Sequence, residues 1–522
     1  MRFFQLGSTI LNRHRYTTAT FYRTMASTQY PKTYEGAIAA LNSLQSNFAI
    51  LDEIRKSGKK MNTSAIAEMV ESVRQLGYQP TDFDKLNVIH VAGTKGKGST
   101  CAFTASILAQ YKALGGAVSK IGLYTSPHLR AVRERIQLDG APLSEELFAK
   151  YFFEVWDRLE ASAVKEGRDP IIKPVYFRFL TLVAFHTYLR ENVDTAIFEV
   201  GIGGEHDSTN VIQKPTVVGI SSLGIDHTAV LGDTIEEIAW HKAGIIKSSA
   251  RTFTVPQEPS ALEVIQKRAD EKGSKVEVVH IHPQIRSREV KLGLTAQFMN
   301  GNASLAVALA AEHLTLLGMN PGIIDEKLPE RFVKGLAEVV WPGRCQVVKS
   351  GAIEWCIDGA HTVESLQVCG KWFGARADGI EKRVLIFNQQ KRESDALIAA
   401  LANSLKEILG LDSRIFDEVI FCTNFTFREK GHKADLVSLG THPEALQKLS
   451  VQTQLAEAWK NAVPDTKVSH VIPTVEDAVE IVTSLSLKAP VQVLVTGSLH
   501  LVGAFLEVLD EKYPGHDNQA PK

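Results

Sequence analysis

Hydrophobic and polar positions follow two different periods along this chain, and stretches with each period alternate. Apolar residues spaced three and four apart predict amphipathic helices at residues 147–159 and 177–189. Short runs rich in β-branched residues, at 196–200 and 216–220, predict buried parallel strands. This alternation extends from Tyr34 to about Trp341 and predicts an α/β domain built on a parallel sheet.

The alternation pauses at Trp341-Pro342-Gly343-Arg344 and then starts again. Strands are predicted at residues 353–357, 383–387, 418–421 and 491–495, and helices after His361, at 394–409, near 443–460 and at 475–485. The fold class is therefore α/β in two parts. We expect a P-loop nucleotide-binding parallel-sheet domain at residues 33–340 and a smaller, Rossmann-like domain at residues 345–515.

A glycine-rich loop follows the apolar strand at residues 88–92. The loop consists of Gly93, Thr94, Lys95, Gly96, Lys97, Gly98 and Ser99. Its glycines let backbone N–H groups turn toward phosphate oxygens, the following helix contributes its positive dipole end, and Lys97 contributes a cation. We therefore predict that these residues bind the phosphates of a nucleotide, with a turn that binds no nucleotide as the alternative.

The spacing of this loop departs from the common P-loop pattern. There, a hydroxyl residue follows the lysine directly and binds Mg²⁺, whereas here Gly98 follows Lys97. The Mg²⁺ ligand is therefore expected elsewhere. Ser126 follows an apolar strand and could supply the hydroxyl, although Ser126-Pro127 also fits a simple turn.

Further polar residues stand where predicted strands end, which is where parallel sheets bind ligands. Glu199 ends one strand and precedes a glycine-rich stretch. We read it as a Mg²⁺ ligand, with a glutamate in a structural turn as the alternative. Asp226 and His227 follow another strand, and His227 is read as a metal-binding or substrate-facing residue or as a structural histidine. A helix with a capping box at Thr234–Glu237 carries Lys242, which the pattern alone places on a solvated surface.

Composition narrows the class of protein and of partner. The 522 residues suggest about two to four domains. The 58 Lys and Arg residues nearly balance the 59 Asp and Glu residues, so the chain has no net positive charge that would attract nucleic acid or an acidic membrane. We therefore expect anionic substrates to be bound by small, local groups of charged residues. The five scattered cysteines favour neither a disulfide framework nor a structural zinc site, and no apolar run is long enough to span a bilayer.

The first 24 residues differ from the rest of the chain. They carry Arg2, Arg13, Arg15 and Arg23, and no acidic residue precedes Glu35, which is typical of a mitochondrial presequence. Met25 offers a second start. We therefore expect a mitochondrial matrix form, with inner-membrane association left open, and a cytoplasmic form that begins at Met25; a disordered basic tail is the alternative.

A series of motifs in order along the chain resembles the folylpolyglutamate synthase family, eukaryotic type, within the Mur-type ligase superfamily. The motifs are G-T-K-G-K-G-S-T at 93–100, T-S-P-H-L at 125–129, R-E-R-I at 133–136, E-V-G-I-G-G at 199–204, D-S-T-N at 207–210, L-G-I-D-H-T at 223–228, I-E-E-I-A-W-H-K-A-G-I-I-K at 235–247, W-P-G-R at 341–344, D-G-A-H-T at 358–362 and V-T-G-S-L-H-L-V-G at 495–503. The resemblance extends from Tyr34 to about Gly503.

The resemblance implies a role for each matching residue. It implies Mg²⁺ ligation by Ser126 and Glu199, a second Mg²⁺ at His227, and phosphate binding by residues 94–97. It further implies adenosine or phosphate contacts for Arg344 and Asp358, a carbamylated lysine at Lys242, and His361 near the incoming glutamate. Lys97, Lys242 and His361 are thus the implied catalytic residues.

The implied activity is an ATP-dependent ligase reaction that adds L-glutamate to the γ-carboxylate of a tetrahydrofolate through an acyl phosphate. The implied substrates and cofactors are ATP, Mg²⁺, tetrahydrofolates and L-glutamate, and the chain is expected to act as a monomer. A monovalent cation and the preferred folate are left open. Two departures stand out: Glu205-His206 replaces an Arg-Leu of many relatives, and Thr362-Val363 replaces a bacterial Asn-Pro.

Two alternatives to this function are considered. Dihydrofolate synthase uses the same chemistry with dihydropteroate as acceptor; the eukaryotic-type T-K-G-K-G-S-T-C loop and the presequence favour the polyglutamylating enzyme. A P-loop protein without ligase activity should lack one of the carboxylate or second-domain motifs, and all of them are present in the sequence.

Overall fold

The computed structural model describes residues 30–45, 64–324, 327–377, 382–389, 394–410, 415–429, 435, 449–466 and 468–514. The predicted presequence and Met25 lie outside these residues, as does part of the helix predicted near 443–460.

The first part of the chain is built around a mostly parallel sheet. Its strands, within the described residues, are β1 (Ile89–Ala92), β2 (Ile121–Tyr124), β3 (Ile136–Leu138), β4 (Ala141–Pro142), β5 (Thr195–Glu199), β6 (Val217–Ile220), β7 (Arg251–Thr254) and β8 (Val276–Val278), in the order β4-β3-β2-β5-β1-β6-β7-β8. Strands β3 and β4 pair antiparallel, while β2, β5, β1, β6, β7 and β8 pair in parallel. The central position of β1 brings its carboxyl end between those of β5 and β6.

Helices cover both faces of this sheet. They are α1 (Tyr34–Ser43), α2 (Ala65–Gln75), α3 (Lys97–Ala109), α4 (Glu145–Lys165), α5 (Tyr176–Arg190), α6 (Thr228–Leu231), α7 (Ile235–Ala243), α8 (Pro259–Lys272), α9 (Pro283–Arg286), α10 (Met299–Leu316) and α11 (Glu330–Glu338). The aromatic residues of α4 and α5 pack on one face of the sheet with Phe198 of β5. On the other face, α3 and α10 pack against Ile89 and Val91 of β1.

The second part forms its own sheet. Strands β9 (Gln346–Ser350), β10 (Ile353–Ile357), β11 (Lys382–Phe387), β12 (Glu418–Phe425), β13 (Val468–Thr474) and β14 (Val491–Thr496) follow the order β13-β12-β11-β14-β10-β9 in the described part of the chain. All neighbours pair in parallel except β9, which runs antiparallel to β10. The helices are α12 (Val363–Gly374), α13 (Ser394–Leu409), α14 (Ser450–Ala462), α15 (Val475–Ser486) and α16 (Leu499–Lys512).

The predicted α/β class, with two sheets and a predominantly parallel arrangement, is confirmed. The limits assigned to the two domains stay predictions. None of the helices in the described ranges is long and apolar enough to cross a bilayer. All five cysteines are buried, and none forms a disulfide.

Candidate active site

The phosphate-binding loop lies at the carboxyl end of β1. Gly93 and Gly96 have φ angles of 144° and 88°, a region that side chains other than glycine avoid. Helix α3 starts at Lys97, with Gly96 as its N-cap, which is two residues before the start near Ser99 that we predicted. The backbone N–H groups at the start of α3 therefore belong to the loop itself, as a phosphate site requires.

The phosphate-binding loop is hydrogen-bonded to the residues that directly follow β6. The N–H groups of Thr94 and Lys95 donate to the Ser222 carbonyl, at 2.9 and 3.1 Å. The Ser221 hydroxyl donates to the Lys95 carbonyl at 2.8 Å. Backbone atoms of the loop are thus paired with the loop that leads to His227.

Glu199 and Ser126 meet beside this loop. Glu199 ends β5 and is only 4% exposed, and its carboxylate accepts a hydrogen bond from the Ser126 N–H at 2.9 Å. Burial raises the pKa of Glu199, while the Lys97 cation acts in the opposite direction. A Cβ on Gly98 would stand 3.5 Å from the Glu199 carboxylate, so the carboxylate faces the loop at its helix end.

Lys242 faces the phosphate-binding loop from α7. Its Nζ donates to the Gly93 carbonyl at 2.8 Å, and the residue is 3% exposed. Burial, followed by repulsion from Lys97, lowers the pKa of Lys242 to about 7. The solvated surface position that the helical pattern alone suggested is therefore wrong, because α7 packs this side chain against the loop. Its carbamylation stays a prediction.

His227 is the exposed N-cap residue of the short helix α6. Its φ angle is 55°, and its N–H donates to Asp226 Oδ1 at 2.9 Å. The other oxygen of Asp226 accepts from Lys95 Nζ at 3.1 Å. The ammonium of Lys95, which we expected to bind phosphate, is thus paired with a carboxylate in this structure.

The segment between the two sheets reaches the same loop. A Cβ on Gly98 would lie 3.4 Å from the Trp341 ring, so Trp341 covers the start of α3. Arg344 lies against Gly359, where an added Cβ would stand 2.8 Å from its Nη1. The positive charge of Arg344 partly offsets the effect of burial on the pKa of Glu199. Arg344 follows the first sheet and Glu199 belongs to it, so this interaction links the two parts of the chain.

Asp358 and His361 occupy one loop at the carboxyl end of β10. Asp358 accepts hydrogen bonds from the N–H groups of Cys345 and Ala360, both at 2.9 Å. Burial raises the pKa of Asp358, and Arg344 opposes this shift. His361 Nδ1 lies 3.1 Å from the Gly359 carbonyl and donates to it. The structure thus groups Arg344, Asp358 and His361, whose predicted ligands stay predictions.

The oxygen ligands at the loop fit the Mg²⁺ that the sequence resemblance implies. Mg²⁺ is held in phosphate sites by one or two protein oxygen ligands, with waters and phosphate oxygens completing the shell. Glu199 supplies a buried carboxylate and Ser126 a neighbouring hydroxyl. Among the described residues no group of three or more His, Cys, Asp and Glu side chains is arranged to hold a metal ion alone.

Sequence reasoning missed three contributors to this site. Trp341 was named only within the W-P-G-R motif, which gives no signal of its contact with Gly98. Asn302 lies so close to Gly96 that an added Cβ would be 2.3 Å from its Oδ1. The pairing of Lys95 with Asp226 joins positions that are 131 residues apart, and the sequence pattern carries no signal for it.

Comparison with known proteins identifies the family of the chain. The model of the dihydrofolate synthetase C-terminal domain family matches residues 344–508. Folylpolyglutamate synthase of Saccharomyces cerevisiae is 47% identical over 493 residues, which covers 92% of this chain and 87% of that protein.

Solved structures give the same picture of the fold. Mycobacterium tuberculosis folylpolyglutamate synthase complexed with ADP matches with a TM-score of 0.65 at 23% identity, over 92% of this chain and all of that chain. E. coli FolC in complex with DHPP and ADP matches with a TM-score of 0.64 at 24% identity, over 92% and 98%. At these identities the two structures support the fold alone, whereas the yeast relative is similar enough over enough of its length to decide the family. This chain belongs to the folylpolyglutamate synthase family.

Proposed function

We propose that this chain adds L-glutamate to the γ-carboxylate of tetrahydrofolates and their polyglutamates, using ATP and an acyl phosphate intermediate. The observation that supports this most directly is the convergence of Lys97, Lys242 and Glu199 on one phosphate-binding loop. Cations and a buried carboxylate around phosphates are what phosphoryl transfer requires, because the protein must stabilise charge on the transferring group.

The reaction follows from the chemistry of the substrates. A γ-carboxylate oxygen attacks the γ-phosphorus of ATP, which forms an acyl phosphate and releases ADP. The amine of glutamate then attacks the acyl carbon, loses a proton, and expels phosphate to leave an amide. The N–H groups of Lys97, Gly98 and Ser99 at the start of α3 hold the phosphates, and Lys97 stabilises the negative charge of the transferring group.

The second part of the chain protects the intermediate from water. Acyl phosphates hydrolyse, so a site that excludes water raises the yield of amide. Trp341 covers the start of α3, and we assign to Arg344 and Asp358 contacts with the nucleotide and to His361 a place near the incoming glutamate. Mg²⁺ would be held by Ser126 and Glu199, with a second ion at His227, and would supply Lewis-acid stabilisation of phosphate charge.

Dihydrofolate synthesis is the second candidate function. It is favoured by one observation, the match of residues 344–508 to the dihydrofolate synthetase C-terminal domain model. The E. coli relative with DHPP shares the fold. Both activities use the same ATP site, so only the acceptor separates them.

The acceptor is therefore the variable to test. The purified chain is incubated with ATP, Mg²⁺ and labelled L-glutamate, and either tetrahydrofolate or dihydropteroate is added. We expect label in the folate product with tetrahydrofolate, only when ATP is present, and none with a Lys97→Met variant. If labelled product forms with dihydropteroate and none forms with tetrahydrofolate, the second candidate replaces the proposal.

We also propose two locations for the protein. The acid-free, arginine-bearing residues 1–24 support import into mitochondria, and Met25 supports a second, cytosolic form. A monomeric state completes the proposal, and sedimentation of the purified chain at several concentrations tests it.

A further inference from the structure

Two loops at the carboxyl edge of the first sheet are joined by one ion pair. The phosphate-binding loop contributes Lys95, and the loop after β6 contributes Asp226, with Lys95 Nζ 3.1 Å from Asp226 Oδ2. The backbone contacts of Thr94 and Lys95 with Ser222 hold the bases of the same loops together. The two loops are therefore joined twice, by backbone hydrogen bonds at Ser222 and by the ion pair between Lys95 and Asp226.

Asp226 uses its two carboxylate oxygens for different partners. While Oδ2 accepts from Lys95, Oδ1 accepts from the N–H of His227 at 2.9 Å. The Asp226 side chain is only 9% exposed, compared with 37% for that of Lys95. The carboxylate is thus the fixed member of the pair and the ammonium the accessible one.

His227 needs this support because its backbone is in a sparsely populated conformation. Its φ angle of 55° lies in the left-handed region, which a residue with a Cβ adopts only when its surroundings hold it there. The hydrogen bond from its N–H to Asp226 is one such constraint. Any displacement of the Asp226 carboxylate changes the constraint on His227.

We propose that Lys95 and Asp226 are positioning residues that couple the phosphate-binding loop to His227. Phosphates bound at the loop attract the accessible Lys95 ammonium, and Lys95 acts on His227 through the shared carboxylate. Nucleotide binding and the placement of His227 are then linked in both directions. This inference rests on the proposed function only in taking the ligand to be a nucleotide with Mg²⁺.

The test measures nucleotide binding rather than glutamate addition. The dissociation constant of ADP is measured by calorimetry on the full chain, with Mg²⁺ and with a chelator, for wild type, Lys95→Met, Asp226→Asn and the double variant. Asp226→Asn keeps an oxygen for the His227 N–H and loses the charge. We expect each single change to reduce the gain in ADP affinity from Mg²⁺ by about fivefold, and the double variant to lose no more than about fivefold.

Two outcomes would overturn the coupling. One is a double variant whose loss is the product of the single losses, at about 25-fold, because independent residues multiply. The other is an unchanged gain from Mg²⁺ in both single variants. If Asp226→Asn does not fold by circular dichroism, Lys95→Arg against Lys95→Met decides: arginine should keep most of the gain, and an equal loss in both would contradict the pair.

A matched control comes from an ion pair at the opposite end of the sheet. Lys214 and Asp84 lie 3.5 Å apart near the amino end of β6, and Lys214→Met should leave the Mg²⁺-dependent gain unchanged. If wild type itself does not bind ADP, the proposed function fails. If wild type binds ADP with a gain from Mg²⁺ and the variants behave like the control, only this inference fails.

Discussion

The buried position of Lys242 makes a quantitative prediction about its protonation. Its pKa is lowered from 10.5 to about 7 by burial and by Lys97. About half of the side chains are then neutral at pH 7, compared with about one in 3,000 for an amine of unshifted pKa. The neutral fraction rises with pH, from about 10% at pH 6 to about 90% at pH 8.

A neutral amine is the form that reacts with carbon dioxide. The product is a carbamate and a proton, so the cation at Lys242 becomes a carboxylate next to the Gly93 carbonyl. Since the neutral form dominates above pH 7, carbamylation and the activity that depends on it should rise as the pH increases from 6 to 8. Lys242→Ala should lower turnover on the order of 100-fold or more, and short carboxylic acids should restore part of it.

The assay combines activity with direct detection. Wild-type protein equilibrated with ¹³C-bicarbonate should give a carbamate signal by ¹³C NMR at pH 8 that is absent in Lys242→Ala. Lys247→Met is the matched control, since burial also lowers the pKa of Lys247, to about 8, while its Nζ donates to the Asn210 carbonyl at 3.5 Å and not to the Gly93 carbonyl. Full activity in Lys242→Ala, or an active wild type without the signal, would refute the reasoning.

Three further predictions concern the loop, its metal ligands and the amino terminus. Ser126→Ala and Glu199→Gln should each lower turnover by about 100-fold or more and raise the Mg²⁺ requirement; an unchanged Mg²⁺ titration of Ser126→Ala would exclude it as a ligand. Gly96→Ala places a Cβ 2.3 Å from the Asn302 side-chain oxygen at a φ of 88°, whereas the Cβ of Gly98→Ala meets its nearest neighbour at 3.4 Å. Gly96→Ala should therefore weaken ADP binding at least about tenfold more than Gly98→Ala. Equal losses of affinity by calorimetry would contradict this geometry. Deleting residues 1–24 should leave activity in vitro unchanged and abolish mitochondrial import of a reporter, and a protected mitochondrial pool after deletion would place the address elsewhere.

The sequence predicted the parallel core of both sheets because short apolar runs of buried strands differ from the three-and-four spacing of amphipathic helices. The strand at 353–357 and the helix at 394–409 were found with the predicted bounds. The strands Arg251–Thr254 and Val276–Val278 were not predicted, since polar residues interrupt their apolar pattern. The strand β9 was also missed, because only two of its five residues are apolar, and its antiparallel pairing depends on how the chain turns between strands.

The site was predictable where chemistry follows the ends of strands. Glu199 and Ser126 could be placed at one edge because the carboxyl ends of parallel strands lie together. The position of Lys242 could not be read from helical periodicity, which identifies faces of a helix but not what each face meets. The ion pair of Lys95 with Asp226 depends on two loops meeting in space, which a single sequence does not encode locally.

The central claim is that this site activates a folate γ-carboxylate by phosphorylation with ATP. The most direct measurement uses tetrahydrofolate labelled with ¹⁸O in the γ-carboxylate, together with ATP, Mg²⁺ and L-glutamate, and mass analysis of the phosphate released. If an acyl phosphate forms, the oxygen that attacks phosphorus leaves with it, so each inorganic phosphate carries one ¹⁸O. Unlabelled phosphate released along with the polyglutamate product would contradict the account.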